Sequence, residues 1–342
     1  MGTNLKDLII TKEVDFDYFR GKKLVVDTFN ILYQFLSTIR QRDGGLLKDS
    51  EGNVTSHLAG IFSRTTRLMK YGINLAFVFD GKPPELKQKE RERRIGLKKE
   101  AMCLYEEAKE KGDIEKMKKY ASRTSHLTKE MIEESKELIS ALGLPVIQAA
   151  SEGEAQMAYV VEKKGFFAGV SEDYDSLLYG IPNLVKNLTV SGKRKVKSTY
   201  INIKPKIINF AENMNALGID KQRLILLAML VGTDYNPGGV KGIGPKTALK
   251  LVKDIGNDPE KLFKKVEWDK NCGVSWEEIL DLFQNMSINP DFETKWKKID
   301  FEKIKDILIE KHDFSEERVV SSMNELLEQE NKPKQKGLGD WI

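Results

Sequence analysis

Cysteine and histidine are scarce in this sequence. Its 342 residues include two cysteines, Cys103 and Cys272, and three histidines. Two cysteines give no disulfide framework of the kind found in small secreted domains, and they offer no paired spacing for a structural zinc site. The amino terminus also lacks a long apolar stretch, so no export signal is predicted. These absences predict a protein of the reducing cytoplasm that does not associate with a membrane.

An excess of one charge is also absent. The chain has 56 Lys and Arg against 52 Asp and Glu, which gives a net charge of +4. A net charge this close to zero does not indicate a binding partner. Only the distribution of charge along the chain can indicate one. The length exceeds the roughly 100–200 residues of a typical domain, which leaves one large domain or two closely packed domains open.

Short apolar runs alternate with amphipathic segments along the chain. The run KKLVVD predicts a strand whose last residue is Asp27, and INLAFVFD predicts a strand that stops at Asp80. Further on, LPVIQAA predicts a strand that leads towards Glu152, and FFAGVSEDYDSLL predicts one that ends near Asp173 and Asp175. Helical spacing of apolar residues occurs between these runs. The alternation predicts an α/β fold with a mainly parallel sheet and helices on both of its faces.

Acidic residues follow these predicted strands. Binding sites in parallel sheets form beyond the carboxyl ends of the strands, so four acids are predicted to converge at one edge: Asp27, Asp80, Glu152 and Asp173. Clustered carboxylates repel one another unless cations neutralise them. With no His or Cys nearby, Mg²⁺ is the natural partner, and two ions roughly 3.5–4 Å apart would suit in-line attack on a phosphodiester. The alternative is a set of exposed loop acids with solvated charges.

Two further acids join this edge only under a condition on the backbone. Residues two apart on a helix point to nearly opposite sides, so Glu152 and Glu154 share a site only if Glu152 lies in the loop before the helix. Gly153 permits such a turn. Asp173 and Asp175 would share a side if the backbone between them is extended. The alternative for the two glutamates is that they complement the positive end of a helix dipole.

Basic residues are concentrated directly after Asp80. Residues 81–99 contain eight Lys or Arg and three Glu, a local net charge of +5. This stretch has too few apolar residues to bury a conventional helix face, so it is either solvated surface or a surface that binds polyanions. Its position next to a predicted metal ligand favours phosphate binding. Lys87 and Arg94 are seven residues apart, close to two helical turns, and could face the same way.

The segment KQRLILLAMLVGTDYNPGGVKGIGPKTALKLV predicts two helices and a glycine-rich turn. The first helix ends near Gly232, Asp234 follows, and the second helix begins with Pro245 in its first turn. Glycines in the turn allow close approach, and the amides of a helix start can hold a phosphate without reading bases. The residues of this turn that are predicted to contact DNA are Lys241, Gly242, Gly244, Lys246 and Lys250.

Five ordered segments together resemble the flap structure-specific endonucleases of the XPG nuclease family, and most of all its archaeal members. They are VVDTFNILYQFLSTIR, FVFDGKPPELK, SEGEAQMAY, SEDYDSLLYG and LVGTDYNPGGVKGIGPKTAL. The resemblance covers nearly the whole chain and implies a nuclease of the archaeal cytoplasm, associated with the nucleoid, that cuts 5′ flaps and 5′ ends in DNA replication and repair. A relative that cuts bubbles or digests 5′ ends processively is an alternative, as is a catalytically silent DNA-binding scaffold.

The resemblance also implies roles for individual residues. By position it assigns seven acids to two Mg²⁺ ions, with Mn²⁺ as a substitute: Asp27, Asp80, Glu152 and Glu154 in a first group, and Asp173, Asp175 and Asp234 in a second. Lys87 and Arg94 match residues that contact the scissile phosphate. Tyr33 matches an aromatic residue on which the displaced nucleotide stacks, the alternative being a tyrosine of the core. The family usually begins with Met-Gly and a small apolar residue, so Thr3 and Asn4 weaken the expectation of a close contact between the amino terminus and the site.

The same resemblance implies an organisation of the chain. Residues 1–330 form a single nuclease domain, with an N-terminal nuclease region at 1–100, a helical arch at 82–130 and an internal region at 145–255. The helix-turn-helix element lies at 221–255. In the flexible tail at 331–342 the clamp-binding motif consists of Gln335, Leu338, Trp341 and Ile342, although Ile342 occupies a position that is usually aromatic. We expect a monomer that binds branched DNA with a 5′ flap and a sliding clamp.

Overall fold

The computed structural model of the chain describes residues 3–190, 193–196 and 199–331. The strands are β1 (Lys12–Glu13), β2 (Lys23–Asp27), β3 (Asn74–Phe79), β4 (Val146–Gln148), β5 (Ala168–Val170), β6 (Asn183–Lys186), β7 (Lys193–Val196), β8 (Thr199–Asn202) and β9 (Lys206–Asn209). The first seven α-helices are α1 (Thr28–Thr38), α2 (Ser56–Lys70), α3 (Gln88–Glu110), α4 (Ile114–Ala121), α5 (Lys129–Ala141), α6 (Gly153–Lys163) and α7 (Phe210–Leu217). The remaining α-helices are α8 (Lys221–Val231), α9 (Pro245–Ile255), α10 (Pro259–Lys265), α11 (Trp268–Asn271), α12 (Trp276–Gln284), α13 (Phe301–Lys305) and α14 (Glu316–Asn331). Short 3₁₀ turns occur at Phe16–Phe19, Glu85–Lys87 and Asp175–Leu177, and a π-helical turn at Asp306–Glu310.

Seven strands form one sheet in the order β1-β9-β6-β5-β2-β3-β4. The five strands from β6 to β4 are mutually parallel, whereas β9 pairs antiparallel with both β6 and β1. Strands β7 and β8 form a separate antiparallel pair. The α/β class with a mainly parallel sheet is therefore confirmed, and the sheet is mixed because of the antiparallel β9 at its β1 side.

Alternation of side chains along β2 shows why both faces of the sheet are covered. Val25 belongs to one hydrophobic cluster with residues of α6 and α8, whereas Leu24 and Val26 belong to a second cluster with residues of α1, α2 and α5. Successive side chains of a strand point to opposite faces. All three side chains are at most 1% exposed. A strand that is apolar on both faces has to lie between two layers of helices, as the sequence predicted.

The predicted strand ends agree with the structure in three strands and differ in the fourth. Strand β2 ends at Asp27, β3 ends one residue before Asp80, and β4 ends at Gln148. Strand β5 already ends at Val170, although extended backbone towards Asp173 and Asp175 was predicted. The reason is a turn stabilised by a side chain, in which the Asp175 amide donates to Asp173 Oδ1 at 3.1 Å and a 3₁₀ turn begins at Asp175.

The basic stretch forms the start of α3, after a 3₁₀ turn that follows Pro84. Over its 23 residues α3 buries only Glu90, Ala101 and Ala108, and it packs mainly against α4. The scarcity of buried apolar side chains agrees with the sequence, which predicted that this stretch has no conventional apolar face. Within the described part of the chain, no helix combines the length and hydrophobicity needed to span a membrane.

Helices α8 and α9 pack against each other across a glycine-rich connection. Gly232 ends α8 with φ 114°, a backbone conformation that residues other than glycine rarely adopt. The Val240 amide donates to the Leu230 carbonyl at 2.9 Å, which folds the connection back onto α8. Pro245 occupies the first turn of α9, as predicted. Asp234 is thereby held just beyond the end of α8.

Candidate active site

Asp27 lies at the carboxyl end of the central strand β2 and also precedes α1. Its Oδ1 accepts a hydrogen bond from the Asn30 amide at 3.1 Å, and its Oδ2 accepts one from Ser171 Oγ at 3.0 Å. Ser171 follows the neighbouring strand β5. The carboxylate is thus fixed from two parallel strands, and the residue is only 4% exposed.

Asp80 and Glu152 approach each other beyond strands β3 and β4. The Gly153 amide donates to Asp80 Oδ1 at 3.0 Å. Glu152 has extended backbone, with φ −74° and ψ 134°, and immediately precedes α6, whose first turn contains Glu154. The condition for the two glutamates to share a site is therefore met, because Glu152 lies before the helix rather than in it.

Asp173 and Asp175 are brought together by the turn after β5. The Asp173 amide donates to Ser171 Oγ at 3.1 Å, and the Thr3 amide donates to Asp175 Oδ1 at 2.7 Å. The amino-terminal segment therefore contacts the site, although Thr3 weakened that expectation. The contact is made by the backbone N–H of Thr3, and any residue except proline could donate the same hydrogen bond.

Lys87 and Arg94 both reach into the acidic cluster from the segment after β3. The Lys87 ammonium forms an ion pair with Glu152 and a second one with Asp234 Oδ2 at 3.2 Å. A terminal nitrogen of Arg94 donates to Asp234 Oδ1 at 2.5 Å. The two basic side chains therefore face the same way and meet at Asp234, although Lys87 lies in the 3₁₀ turn before α3.

Burial and mutual repulsion act on most of the acids in the cluster. Burial raises the pKa of Asp27 to about 6, and burial with repulsion from Asp27 and Glu152 raises the pKa of Asp80 to about 8. Burial and the neighbouring Asp173 raise the pKa of Asp175 to about 7. The cause is the cost of holding several negative charges together away from water.

Two more groups show the same electrostatic coupling. Burial, followed by repulsion from Asp27, raises the pKa of Glu154 well above its usual value. Although burial opposes its charge, Lys87 has a raised pKa because the carboxylates of Glu154, Glu152 and Asp234 surround its ammonium. The raised pKa values of Asp27, Asp80, Glu154 and Asp175 show that this part of the site favours bound positive charge.

Part of the cluster lines a cleft. Its walls are formed by Lys87, four of the acids and three aromatic residues, namely Glu152, Glu154, Asp175, Asp234, Tyr179, Tyr235 and Phe283. All the acidic donors are carboxylate oxygens, the type of ligand that Mg²⁺ and Mn²⁺ prefer. Within residues 3–190, 193–196 and 199–331, no three acidic, His or Cys side chains are arranged as a ready metal cage. The Lys87 ammonium instead lies between the carboxylates of Glu152 and Asp234. The fit of the site to divalent cations therefore rests on its carboxylate oxygens and on the raised pKa values of four carboxyl groups.

The predicted DNA contacts are on the surface. Tyr33 on α1 is 39% exposed, so its ring does not belong to the core, and Lys98 Nζ lies 4.7 Å from the centroid of that ring. The five residues predicted around the turn before α9 are all exposed: Lys241, Gly242, Gly244, Lys246 and Lys250. The predicted clamp-binding residues lie outside the described residues: Gln335, Leu338, Trp341 and Ile342.

Several residues of the site were not predicted from the sequence. Ser171 links Asp27 to Asp173, and its only signal is its place directly before the acidic turn. Tyr179 and Tyr235 bring their hydroxyl oxygens within 3.3 Å of each other in the cleft wall, without a spacing that would have indicated this. Glu90 contacts Arg94, and its signal is the helical spacing of four residues.

Gly81 keeps the two acidic strand ends close, which gives a test of the site's backbone. Its amide donates to the Ser151 carbonyl at 2.7 Å, and an added Cβ would lie 2.3 Å from the carbonyl oxygen of Ala149. We expect Gly81→Ala to reduce the free energy of unfolding by about 1–3 kcal/mol, as overpacking does, and to slow cleavage because Asp80 and Glu152 move apart.

Denaturant unfolding measures this effect, with Gly96→Ala as the matched control. Gly96 lies within α3, and an added Cβ there meets nothing within 4 Å. The control should gain about 0.5–1 kcal/mol from the better helix propensity of alanine. Equal stability of the Gly81 variant and the parent would show that the close approach is not needed.

Comparisons with known proteins agree with the fold and show the family. Two family models match the chain: the XPG N-terminal domain over residues 3–101 and the XPG I-region over residues 143–234. Together with an acid-lined cleft at the carboxyl edge of a mostly parallel sheet, these matches define a nuclease of the XPG class.

Individual relatives narrow the assignment. Flap endonuclease 1 of Thermofilum pendens is 48% identical over 330 residues, which cover 95% of this chain and 94% of the relative. The solved structure of flap endonuclease-1 from Methanococcus jannaschii matches with a TM-score of 0.76 and 38% identity, over 96% of this chain and 98% of that one. The chain belongs to the flap endonucleases of the XPG nuclease family. The catalytic core of Rad2 in complex with a DNA substrate shares the fold, with a TM-score of 0.69 and 22% identity over 95% of this chain and 100% of that one.

Proposed function

We propose that the acidic cleft hydrolyses a phosphodiester bond at the base of a 5′ single-stranded flap and also removes nucleotides from 5′ ends, in the processing of Okazaki fragments and in DNA repair. As a flap endonuclease by family, the chain is a hydrolase of phosphodiester bonds. The observation that carries the proposal is the proximity of the seven acids to one another and to Lys87 and Arg94. Such a cluster can hold cations and a phosphate side by side.

The acids would divide into two groups around two Mg²⁺ ions, with Mn²⁺ as a substitute. Asp27, Asp80, Glu152 and Glu154 would form the first group, and Asp173, Asp175 and Asp234 the second. Bound ions of this kind lower the pKa of a coordinated water and stabilise the charge on a leaving oxygen. Hydrogen bonds already hold three of these carboxylates in place: Asn30 and Ser171 donate to Asp27, Gly153 to Asp80 and Thr3 to Asp175.

Lys87 and Arg94 would exchange partners when DNA binds. In the structure their positive charges neutralise Glu152 and Asp234. With these carboxylates neutralised by bound cations, Lys87 and Arg94 would be able to turn to the oxygens of the scissile phosphate and stabilise the charge that develops there. The ion pairs described above therefore keep two phosphate-binding groups next to the position where the phosphate has to lie.

Three surfaces outside the cleft would hold the branched DNA. Residues 82–130, which include α3 and α4, would form a helical arch that admits the 5′ strand. The helix pair within 221–255 would contact the duplex through backbone amides and lysines at the start of α9, without reading bases. Tyr33 would stack on the displaced nucleotide, which its exposed ring allows. The chain would act as a monomer whose single nuclease domain spans 1–330.

Cleavage of three labelled substrates tests the proposed activity. A 5′ flap junction, a bubble and a plain duplex of the same sequence are incubated with the chain in Mg²⁺, and the products are sized. We expect cuts at the base of the flap and at least about tenfold slower cutting of the bubble, because only the flap satisfies both the duplex contacts and the arch. Preferential cutting of the bubble, or processive digestion of the duplex, would assign the chain to another activity within the family.

The tail gives a prediction for a protein partner. Leu338 and Trp341 are three residues apart, so one helical turn formed on binding would place both on the same face, with Gln335 a further turn back. Deletion of residues 335–342 should leave cleavage of a short flap substrate unchanged and remove its stimulation by the sliding clamp of the same organism. Lys336→Ala serves as the control, because its position lies between the predicted contacts. Stimulation that survives the deletion, or calorimetry that detects no clamp binding by the intact chain, would contradict the assignment.

A further inference from the structure

We propose that Glu90 is a positioning residue for the cleavage reaction, which holds the Arg94 guanidinium in the orientation needed at the scissile phosphate. The inference rests on the proposed function of Arg94. It concerns a carboxylate outside the seven acids, on the first turn of α3.

The burial of Glu90 is unusual for its place in the chain. Glu90 is only 3% exposed, although its neighbours Lys89, Arg91 and Glu92 are exposed. A buried carboxylate is costly unless charged donors satisfy its oxygens. The guanidinium groups that satisfy Glu90 lie three and four residues further along α3, which places them on the same side of the helix.

The hydrogen bonds of Glu90 are short and divide between two arginines. Arg94 Nε donates to Glu90 Oε1 at 2.6 Å. Arg93 donates through Nε to Oε2 at 2.6 Å and through a terminal nitrogen to Oε1 at 2.8 Å. Hydrogen bonds between ionised partners at such distances are the strong ones in proteins. Glu90 therefore fixes the orientation of the Arg94 guanidinium plane rather than merely neutralising a nearby charge.

The direction of the Arg94 contacts carries the inference. Glu90 binds Nε at the base of the guanidinium, while a terminal nitrogen of the same group extends to Asp234 Oδ1 at 2.5 Å. The group is therefore held at one end and presented to the cleft at the other. An arginine side chain that is ordered in advance loses less rotamer freedom when it binds phosphate.

Glu92 on the same helix shows what an ordinary charged residue does here. It is exposed, and its Oε1 accepts a hydrogen bond from Gln88 Nε2 at 2.9 Å, one turn earlier on the helix. That contact is a common helix-surface pair and has no connection with the cleft. Glu92 is therefore the matched control for Glu90.

Single-turnover cleavage of the flap junction is the first test. We expect Glu90→Ala to lower the rate about 10–100-fold, the range that loss of a hydrogen bond to a charged group produces. Its affinity for the junction in chelator should stay within about threefold of the parent, since most phosphate contacts lie elsewhere. Glu90→Gln should lie between Glu90→Ala and the parent, because the amide oxygen still accepts from Arg94 Nε but has lost the charge. Glu92→Gln should leave the rate unchanged.

A double-mutant cycle separates positioning from a general structural effect. If Glu90 acts through Arg94, Glu90→Ala should cause no further loss in an Arg94→Ala background. Losses that multiply in the double variant, an unchanged rate in Glu90→Ala, or a faster rate would each overturn the inference. A normal rate for Arg94→Ala alone would instead show that the proposed function of Arg94 is wrong. Circular dichroism confirms that each variant is folded, and Glu90→Gln carries the comparison if the alanine variant is not.

Discussion

Asp173→Ala is expected to abolish cleavage of the flap junction, with a rate at least about 10³-fold below that of the parent. Loss of a carboxylate from the second acidic group removes both a predicted cation ligand and the acceptor of the Asp175 amide. Affinity for the junction should stay nearly intact, because it comes mainly from phosphate contacts outside the cleft. Quenched-flow cleavage in Mg²⁺ and fluorescence anisotropy in chelator measure the two quantities separately.

Glu162→Ala is the control for this substitution. Glu162 lies in the last turn of α6, whereas Glu154 lies in the first, and the Glu162 side chain is 58% exposed. The Glu162→Ala variant should cut the flap junction at the parent rate. An Asp173→Ala variant that also cuts at nearly the parent rate in Mg²⁺ would show that the second acidic group does not hold a catalytic cation.

Lys87→Ala and Arg94→Ala are each expected to lower the single-turnover rate by about 10²–10³-fold and to change the affinity for DNA far less. Both side chains are proposed to stabilise charge that develops on the scissile phosphate, and such interactions act on the chemical step. The rate should be measured with enzyme in excess, so that product release does not mask the chemistry.

Helix α3 offers a control for the two basic residues. Lys99 on α3 is an exposed lysine beyond the two turns that carry Lys87 and Arg94, and Lys99→Ala should affect affinity and rate only slightly. If Lys87→Ala and Arg94→Ala weaken binding and leave the chemical rate unchanged, the two residues are ordinary contacts to the DNA backbone. The proposed role of the segment 82–130 in catalysis would then have to be given up.

The carboxyl edge of the sheet could be predicted from the sequence because strands and acids are local features. Runs such as KLVVD and NLAFVF are apolar on both faces; the first ends in Asp27, and Asp80 directly follows the second. Gly153 in SEGEA likewise indicated the turn that keeps Glu152 before α6. Periodicity and turn chemistry act over a few residues, so a sequence carries them directly.

Contacts between distant segments could not be predicted in the same way. The Thr3 amide reaches Asp175 across 172 residues, and side-chain type gives no information on a bond made by the backbone. Lys87 in the turn before α3 pairs with Asp234 in the connection after α8, a contact between segments that are far apart in the sequence. The end of β5 at Val170 was also missed, because the carboxylate of Asp173 competes with extended backbone for the Asp175 amide. In each case tertiary packing or a side-chain hydrogen bond outweighs the local pattern.

The dependence of flap cleavage on divalent cations tests the proposed mechanism most directly. The chain is freed of metal with a chelator, mixed with a labelled 5′ flap junction, and titrated with Mg²⁺ while the single-turnover rate is recorded. We predict no cleavage in chelator, full recovery in Mg²⁺ with a cut at the base of the flap, and a steeper than first-order rise of the rate with Mg²⁺ concentration, because the proposed mechanism requires two bound ions. Cleavage at an undiminished rate in chelator would contradict the proposal that the seven carboxylates hold catalytic cations.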